Sequence, residues 1–243
     1  MKLDISKINF SKYDTKRVLN LPYEMSESLA EDIGIMIGDG HIGLNKWKST
    51  AEYSICISGN SISDKDYIIN YVKPLKFKLY NLDFSVLFVG ENKTEVRLKL
   101  CSKGLVEFYN KVIGLPVNKK QNIGIPKCIF WKERYIASCL RGIMDTDFGL
   151  SFKKKEKYPV LQLKTSSRKL VEDCKKGFYK LGVKTNAYLN RTEIHSITKR
   201  PFITNYLFIN GRSNLIKCIE KIGFNNKRMI NKIKQNMGPR GNS

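Results

Sequence analysis

Two stretches of this chain read alike: Leu29-Ala30-Glu31-Asp32-Ile33-Gly34-Ile35-Met36-Ile37-Gly38-Asp39-Gly40-His41, and Leu140-Arg141-Gly142-Ile143-Met144-Asp145-Thr146-Asp147-Phe148-Gly149. Each sets small residues four apart in an apolar helical run, Gly34 with Gly38 and Gly142 with Thr146. Glycine inside a helix costs roughly 0.5–1 kcal/mol relative to alanine, so a pair in one helix calls for a compensating contact. Close approach of two helix backbones supplies it, because a missing Cβ lets one press against the other. Ile33, Ile35, Met36 and Ile37 would fill that joint from one side, Ile143 and Met144 from the other. The joint brings the C-terminal ends together, and with them Asp39 and Asp147. An acid at that end faces unpaired carbonyls and the negative pole of the helix, which is unfavourable unless a cation is present. Such a position suits Mg²⁺, which takes oxygen ligands. A lone Gly-Asp-Gly reads as a helix stop and a turn. A second motif, carrying Asp147 within a matching repeat, argues against that.

Working outward from the motifs, the chain is a repeat. After a polar, basic lead (1–25), Ser26 caps a helix running to Gly38. A hairpin follows, with strands at 42–46 and 53–58, then a helix at 63–80, a second hairpin (85–89 and 95–100) and a helix at 103–113. The second copy gives a helix at 132–146, strands at 150–154 and 160–164, a helix at 168–181, strands at 184–190 and 205–209, and a helix at 213–222. The interval from Asp39 to the triplet Asn118-Lys119-Lys120 equals the interval from Asp147 to Asn226-Lys227-Arg228. Matching landmarks argue for pseudo-twofold symmetry within one polypeptide. The expected organisation is a first repeat at 26–120, a linker at 121–131 broken by Gly124-Ile125-Pro126, a second repeat at 132–237 and a tail at 238–243.

The charge points the same way. With 44 Lys+Arg against 22 Asp+Glu, the net charge of +22 exceeds what solubility requires and favours a polyanionic partner. It is uneven: residues 1–150 carry 22 basic and 17 acidic side chains, 151–243 carry 22 and 5, so the second half should grip phosphates harder. A membrane-surface or ribosomal protein would also be basic. No apolar run is long enough to span a bilayer and no secretion signal leads the chain, so a soluble cytoplasmic, nucleoid-associated or organellar protein is expected. The six cysteines show no CxxC spacing and read as buried free thiols.

Both motifs, with the repeat around them, resemble the LAGLIDADG homing endonucleases, the single-chain members of which carry two motifs. The resemblance covers nearly the whole chain after Met25. It implies an α+β fold of tandem αββαββα repeats, whose two antiparallel saddle-shaped sheets lie in successive stretches of the DNA major groove. A monomer, acting away from membranes, would hydrolyse both strands across the minor groove of a double-stranded site of roughly 20 base pairs. Intron RNA is a second partner to consider. The implied cofactor is Mg²⁺, about two or three divalent ions shared between two sites, with Mn²⁺ as a substitute. Asp39 and Asp147, with Gly38 and Thr146 beside them, would hold the metal. Lys119 or Lys120 and Lys227 or Arg228 would order water or screen the phosphate. DNA contacts are expected from Lys46, Lys48, Arg97, Lys99, Lys153, Lys155, Lys164 and Arg191 on the hairpins.

The chain departs from the family pattern in places. Phe148 stands where the motif usually ends in Gly, which bears on how Asp147 is aimed. Asn60 and Ser166 stand where Lys or Gln is usual at the end of the second strand. Asp145, His41 and His195 are read as structural. These departures keep open an alternative, an intron RNA maturase or a DNA-binding relative of the same fold that does not cut. The end, Gly238-Pro239-Arg240-Gly241-Asn242-Ser243, lacks the His-Asn pair that protein splicing needs, so a free-standing enzyme is expected.

Overall fold

The computed structural model describes residues 2–48, 50–120, 122–153 and 158–237. The expected tail, the start of the linker at Gln121, the far end of the strand drawn to Lys154, and Lys155 lie outside these residues.

The lead is more than a basic arm. Ser11 caps α1 (Lys12–Lys16), and the buried carboxylate of Asp14 accepts from Ser102 Oγ (2.6 Å) and Gly104 N (3.0 Å), clamping the lead onto the first repeat. Ser26 caps α2 (Glu27–Ile37) by accepting from Leu29 N, as expected. Then come β1 (Gly40–Lys46) and β2 (Ala51–Asn60). One long helix follows, made of α3 (Lys65–Tyr67), a π-helical stretch (Ile68–Val72) and α4 (Lys73–Tyr80). β3 (Ser85–Val89) and β4 (Glu95–Cys101) lead to α5 (Lys103–Glu107), which continues as a wide turn to Ile113.

In the second repeat α6 (Glu133–Asp147) is followed by β5 (Phe148–Lys153), β6 (Tyr158–Thr165) and α7 (Arg168–Lys180). The chain closes with β7 (Asn186–Ile194), β8 (Pro201–Asn210), α8 (Arg212–Lys221) and α9 (Lys227–Met237). The β7–β8 hairpin is longer than the alternation predicted, with a register shift between Tyr188 and Arg191. The repeat pattern predicts neither α1 nor α9; α9 is strongly one-sided but buries only Met229.

The strands form two four-stranded antiparallel sheets of matching order, β1-β2-β4-β3 and β5-β6-β8-β7. Alternation assigns their faces: Val96, Leu98 and Leu100 of β4 and Pro159, Leu161 and Leu163 of β6 point inward, while their neighbours point out. In the first repeat a buried ion pair anchors the core. Asp32 accepts from Lys76 Nζ (2.6 Å), Tyr80 Oη (2.6 Å) and Tyr109 Oη (2.5 Å), so the charge is fully hydrogen-bonded.

The two repeats meet along α2 and α6. A Cβ on Gly34 would stand 2.1 Å from the Cys139 carbonyl oxygen, and one on Gly142 would stand 2.4 Å from that of Glu31. The contacts are reciprocal, as a pseudo-twofold axis requires. At the axis, a Cβ on Gly38 would stand 2.0 Å from Thr146 Oγ1. The four small residues are therefore the contact itself. A salt bridge from Arg141 to Glu31 (2.8 Å) fastens the joint at its side.

Of the cysteines, Cys139, Cys174 and Cys218 are buried, Cys56 and Cys128 half-buried and Cys101 exposed; all are free thiols. The expectation of burial fails at Cys101 because it ends β4 on the outward face, beyond the helices. Among the described residues no helix is long and apolar enough to cross a membrane.

Candidate active site at the joint

The abutting helix ends put Asp39 and Asp147 together. The Asp147 carboxyl carbon lies 3.5 Å from where a Gly38 Cβ would stand, beside the residue that precedes Asp39. Both acids are half-buried by area but enclosed by protein on most sides, so water solvates their charges poorly. Burial, then the Asp147 and Asp64 charges, push the Asp39 carboxyl up to about 7. Burial also raises Asp147, opposed by the Lys120 charge. Two desolvated acids at one point are the electrostatic signature of a site built for a cation.

One cation is already present. Lys120 Nζ donates to the carbonyl oxygens of Ile37 (2.9 Å) and Gly38, the end of α2. Burial pulls its ammonium below the ordinary lysine range, and both aspartates oppose that pull. Carbonyl oxygens that already meet a positive charge, with two carboxylates near enough to act on it, are also the kind of oxygen donors that hard divalent ions take, so the residues fit Mg²⁺ or Mn²⁺. Thr146 lines the same point, its hydroxyl donating to Gly142 O (2.8 Å) and Ile143 O (3.1 Å).

The other expected residues divide. Arg228 reaches the cluster through Asp64 (3.3 Å) and lowers Asp39 from there. Lys227 pairs with Asp66 (3.1 Å) and Lys119 is exposed; neither perturbs the two acids. Asp145 is structural, accepting from Asn225 N (2.8 Å), and burial pushes its carboxyl up to about 7. Asn60 caps its own turn, its Oδ1 accepting from Ile62 N (2.9 Å) and Ser63 N (3.0 Å). Ser166 offers its carbonyl to Asn205 Nδ2 (3.1 Å). His195 Nδ1 likewise accepts from turn amides at Ile197 and Thr198. Phe148 turns into the core against Phe178 (6.0 Å between ring centroids), which leaves Gly149 on the outward face.

Sequence reasoning missed Asp64. It lies four residues beyond Asn60, where the long helix begins, and its charge acts on Asp39. Nothing in its spacing marks it, because the second motif has no aspartate at the matching place.

Asp147 opens onto a cleft of about 300 Å³ lined by Gly149, Leu150, Ser151, Gln162 and Lys164, so the site continues into the outward face of the second sheet. That face carries Lys153, Lys164 and Arg191 among aromatic rings: Lys153 lies over Tyr158, Lys164 over Phe202 and Tyr206, Arg191 over Tyr188. On the first sheet Arg97 and Lys99 share the outward face, paired with Glu95 (2.8 Å) and Glu52 (3.2 Å). Lys46 falls on the opposite parity from His41 and Asn45 of the same strand, so it leaves that face; Lys48 lies in the hairpin turn. A larger cavity of about 770 Å³ lies elsewhere, between the lead, the end of the 108–113 turn and the linker.

The pseudo-twofold pair of αββαββα repeats, joined by glycine-faced helices that end in acids, has counterparts among known proteins. Residues 134–223 match the family model of the LAGLIDADG-like domain. Similar solved structures include mesophilic variants of the homing endonuclease I-DmoI (TM-score 0.57, 19% identity, covering 81% of this chain and 95% of that one). I-DmoI in complex with DNA and Ca gives a TM-score of 0.57 at 20% identity, covering 81% of this chain and 88% of that one. Among curated proteins, the replication factor C small subunit of Methanocaldococcus jannaschii is 25% identical over 222 residues, 86% of this chain and 10% of that protein. An uncharacterized protein of the same archaeon is 26% identical over 171 residues, 68% of this chain. The chain thus spans a tenth of the first relative and 59% of the second. The second repeat matches a LAGLIDADG-like domain, and the fold of the chain is similar to that of the homing endonuclease I-DmoI.

Proposed function

We propose that the protein is a site-specific endonuclease for double-stranded DNA that hydrolyses both strands with divalent metal. The observation that carries this reading is the meeting of two desolvated acids, Asp39 and Asp147, at the ends of abutting helices that open onto a basic sheet face. Asp39, Asp147 and the carbonyl of Gly38 would hold Mg²⁺, with Mn²⁺ able to take its place. A bound divalent ion supplies charge that stabilises the developing phosphoryl oxygens and acidifies a water. Lys120 and Arg228 flank the acids and would screen the phosphates. The outward faces of the two sheets would lie in successive major-groove stretches, with Arg97, Lys99, Lys153, Lys164 and Arg191 toward the duplex. The DNA- and metal-bound structures of I-DmoI support the choice of substrate and cofactor for this fold.

The protein should linearise a plasmid carrying the uninterrupted form of its host locus when Mg²⁺ is added. Asp39→Asn or Asp147→Asn should abolish double-strand cleavage while leaving the fold intact by circular dichroism. Retained linearisation in either variant refutes the assignment.

One observation favours a second reading, a DNA or intron RNA binder that does not cut. Asn60, at a position suited to ordering water, spends its side-chain oxygen on the amides of its own turn. Wild-type protein that shifts target DNA in a gel but never nicks it would select that reading.

A further inference from the structure

The Lys120 ammonium already faces the carbonyl oxygen of Gly38, so a divalent ion on that oxygen would meet a like charge at close range. We propose that Lys120 is a tethered occupant of the metal position, and that a divalent ion enters there only by displacing its ammonium; this rests on the metal-dependent reading above.

Three observations carry the inference. The Lys120 side chain spends its donors on Ile37 and Gly38 carbonyls, the unpaired groups at the end of α2, as a capping cation does. Its charge acts on both Asp39 and Asp147, the acids at the ends of the abutting helices. No equivalent plug exists on the other side among the described residues. Arg228, as far beyond Asp147 as Lys120 is beyond Asp39, is held by Asp64. The carbonyl of Asp145, the counterpart of Ile37, accepts from the neutral amide of Asn226 (3.0 Å). The first half of the centre is therefore filled by a charge in the resting protein and the second is not. A tethered cation competes at a high effective concentration, so it keeps the acids compensated while weakening divalent binding. When the ion enters, the released ammonium is left beside the cleft, where a DNA phosphate would be its next partner.

The test uses the full chain without DNA and Ca²⁺ as the probe. Titration calorimetry should show Lys120→Met binding Ca²⁺ about tenfold more tightly than wild type. Arg228→Met, which removes a nearby charge that makes no carbonyl contact, should tighten binding by no more than about threefold. In the wild-type protein, saturating Ca²⁺ should raise acylation of Lys120 by an amine-reactive ester, read by peptide mass spectrometry, and should not do so in Asp39→Asn. This labelling arm needs no Lys120 variant to fold. Binding by Lys120→Met that is unchanged or weaker, or labelling indifferent to Ca²⁺, overturns the displacement while leaving the metal site in place. Ca²⁺ binding that survives both Asp39→Asn and Asp147→Asn removes the metal reading, and the displacement with it.

Discussion

In the first repeat Lys120 reaches back to the carbonyls of its own motif helix, whereas Arg228, its counterpart by spacing in the second, is drawn to Asp64 of the other repeat. The flanking asparagines diverge as well. Asn118 lies along β1, exchanging hydrogen bonds with Leu44 N (2.9 Å) and Leu44 O (3.0 Å). Asn226 crosses to the Asp145 carbonyl and to Asp64, and its Oδ1 accepts from Arg228 N (3.0 Å) at the start of α9. Identical spacing has produced two unlike half-sites. Asp39 feels Asp147, Asp64, Lys120 and Arg228, while Lys120 is the charge that acts on Asp147. A duplicated backbone sets where the acids stand, and unduplicated side chains set what surrounds them.

The largest effect should come from the part of the joint that is symmetric. Gly142→Ala and Gly34→Ala each force a Cβ into the facing backbone, and each should cost about 3 kcal/mol or more of unfolding free energy in denaturant titrations. Similar losses would support reciprocal packing; a loss below about 1 kcal/mol in either would mean the helices can part without penalty.

An intermediate effect should appear in the pH dependence of stability without metal. Asp39 and Asp145 ionise near 7 when folded, against 3.8 when unfolded, so between these values the native state binds more protons than the unfolded chain. Unfolding free energy should therefore fall as pH rises from about 4 to about 7 and level off above that. Asp39→Asn should remove its share of the slope and Asp145→Asn its own, the raised Asp147 carboxyl supplying the remainder, measured by melting in a chelating buffer. A flat profile in the wild type would break the picture of carboxyls desolvated at Asp39 and Asp145.

The smallest effect should follow from Asp64→Asn, which releases Arg228 and removes one negative neighbour of Asp39. Because the Arg228 side chain is 39% exposed, stability should change by less than about 1 kcal/mol. The Asp39 midpoint, followed by carboxyl carbon chemical shift, should move down toward the ordinary range while that of Asp147 stays put. Equal movement of both would erase the distinction between the half-sites.

Much of this is legible in the sequence. The small-residue spacing of Gly34, Gly38, Gly142 and Thr146 has one economical explanation, a close helix contact, and hairpin alternation survives translation into two sheets because side chains alternate faces regardless of context. Lys46 obeys the same rule, since it shares the parity of Ile42 and Leu44 and so leaves the outward face. Asp64 and the crossing of Asn226 escaped because both depend on which repeat a loop leans toward.

The sequence by itself determined the duplication, the helix-to-helix joint and the arrival of Asp39 beside Asp147, since each follows from local periodicity and from volumes that only glycine leaves open. Only the tertiary structure decided that one basic side chain lies on carbonyls and the other on a carboxylate. That choice turns on electrostatic distances between segments far apart in the chain, which spacing alone does not encode.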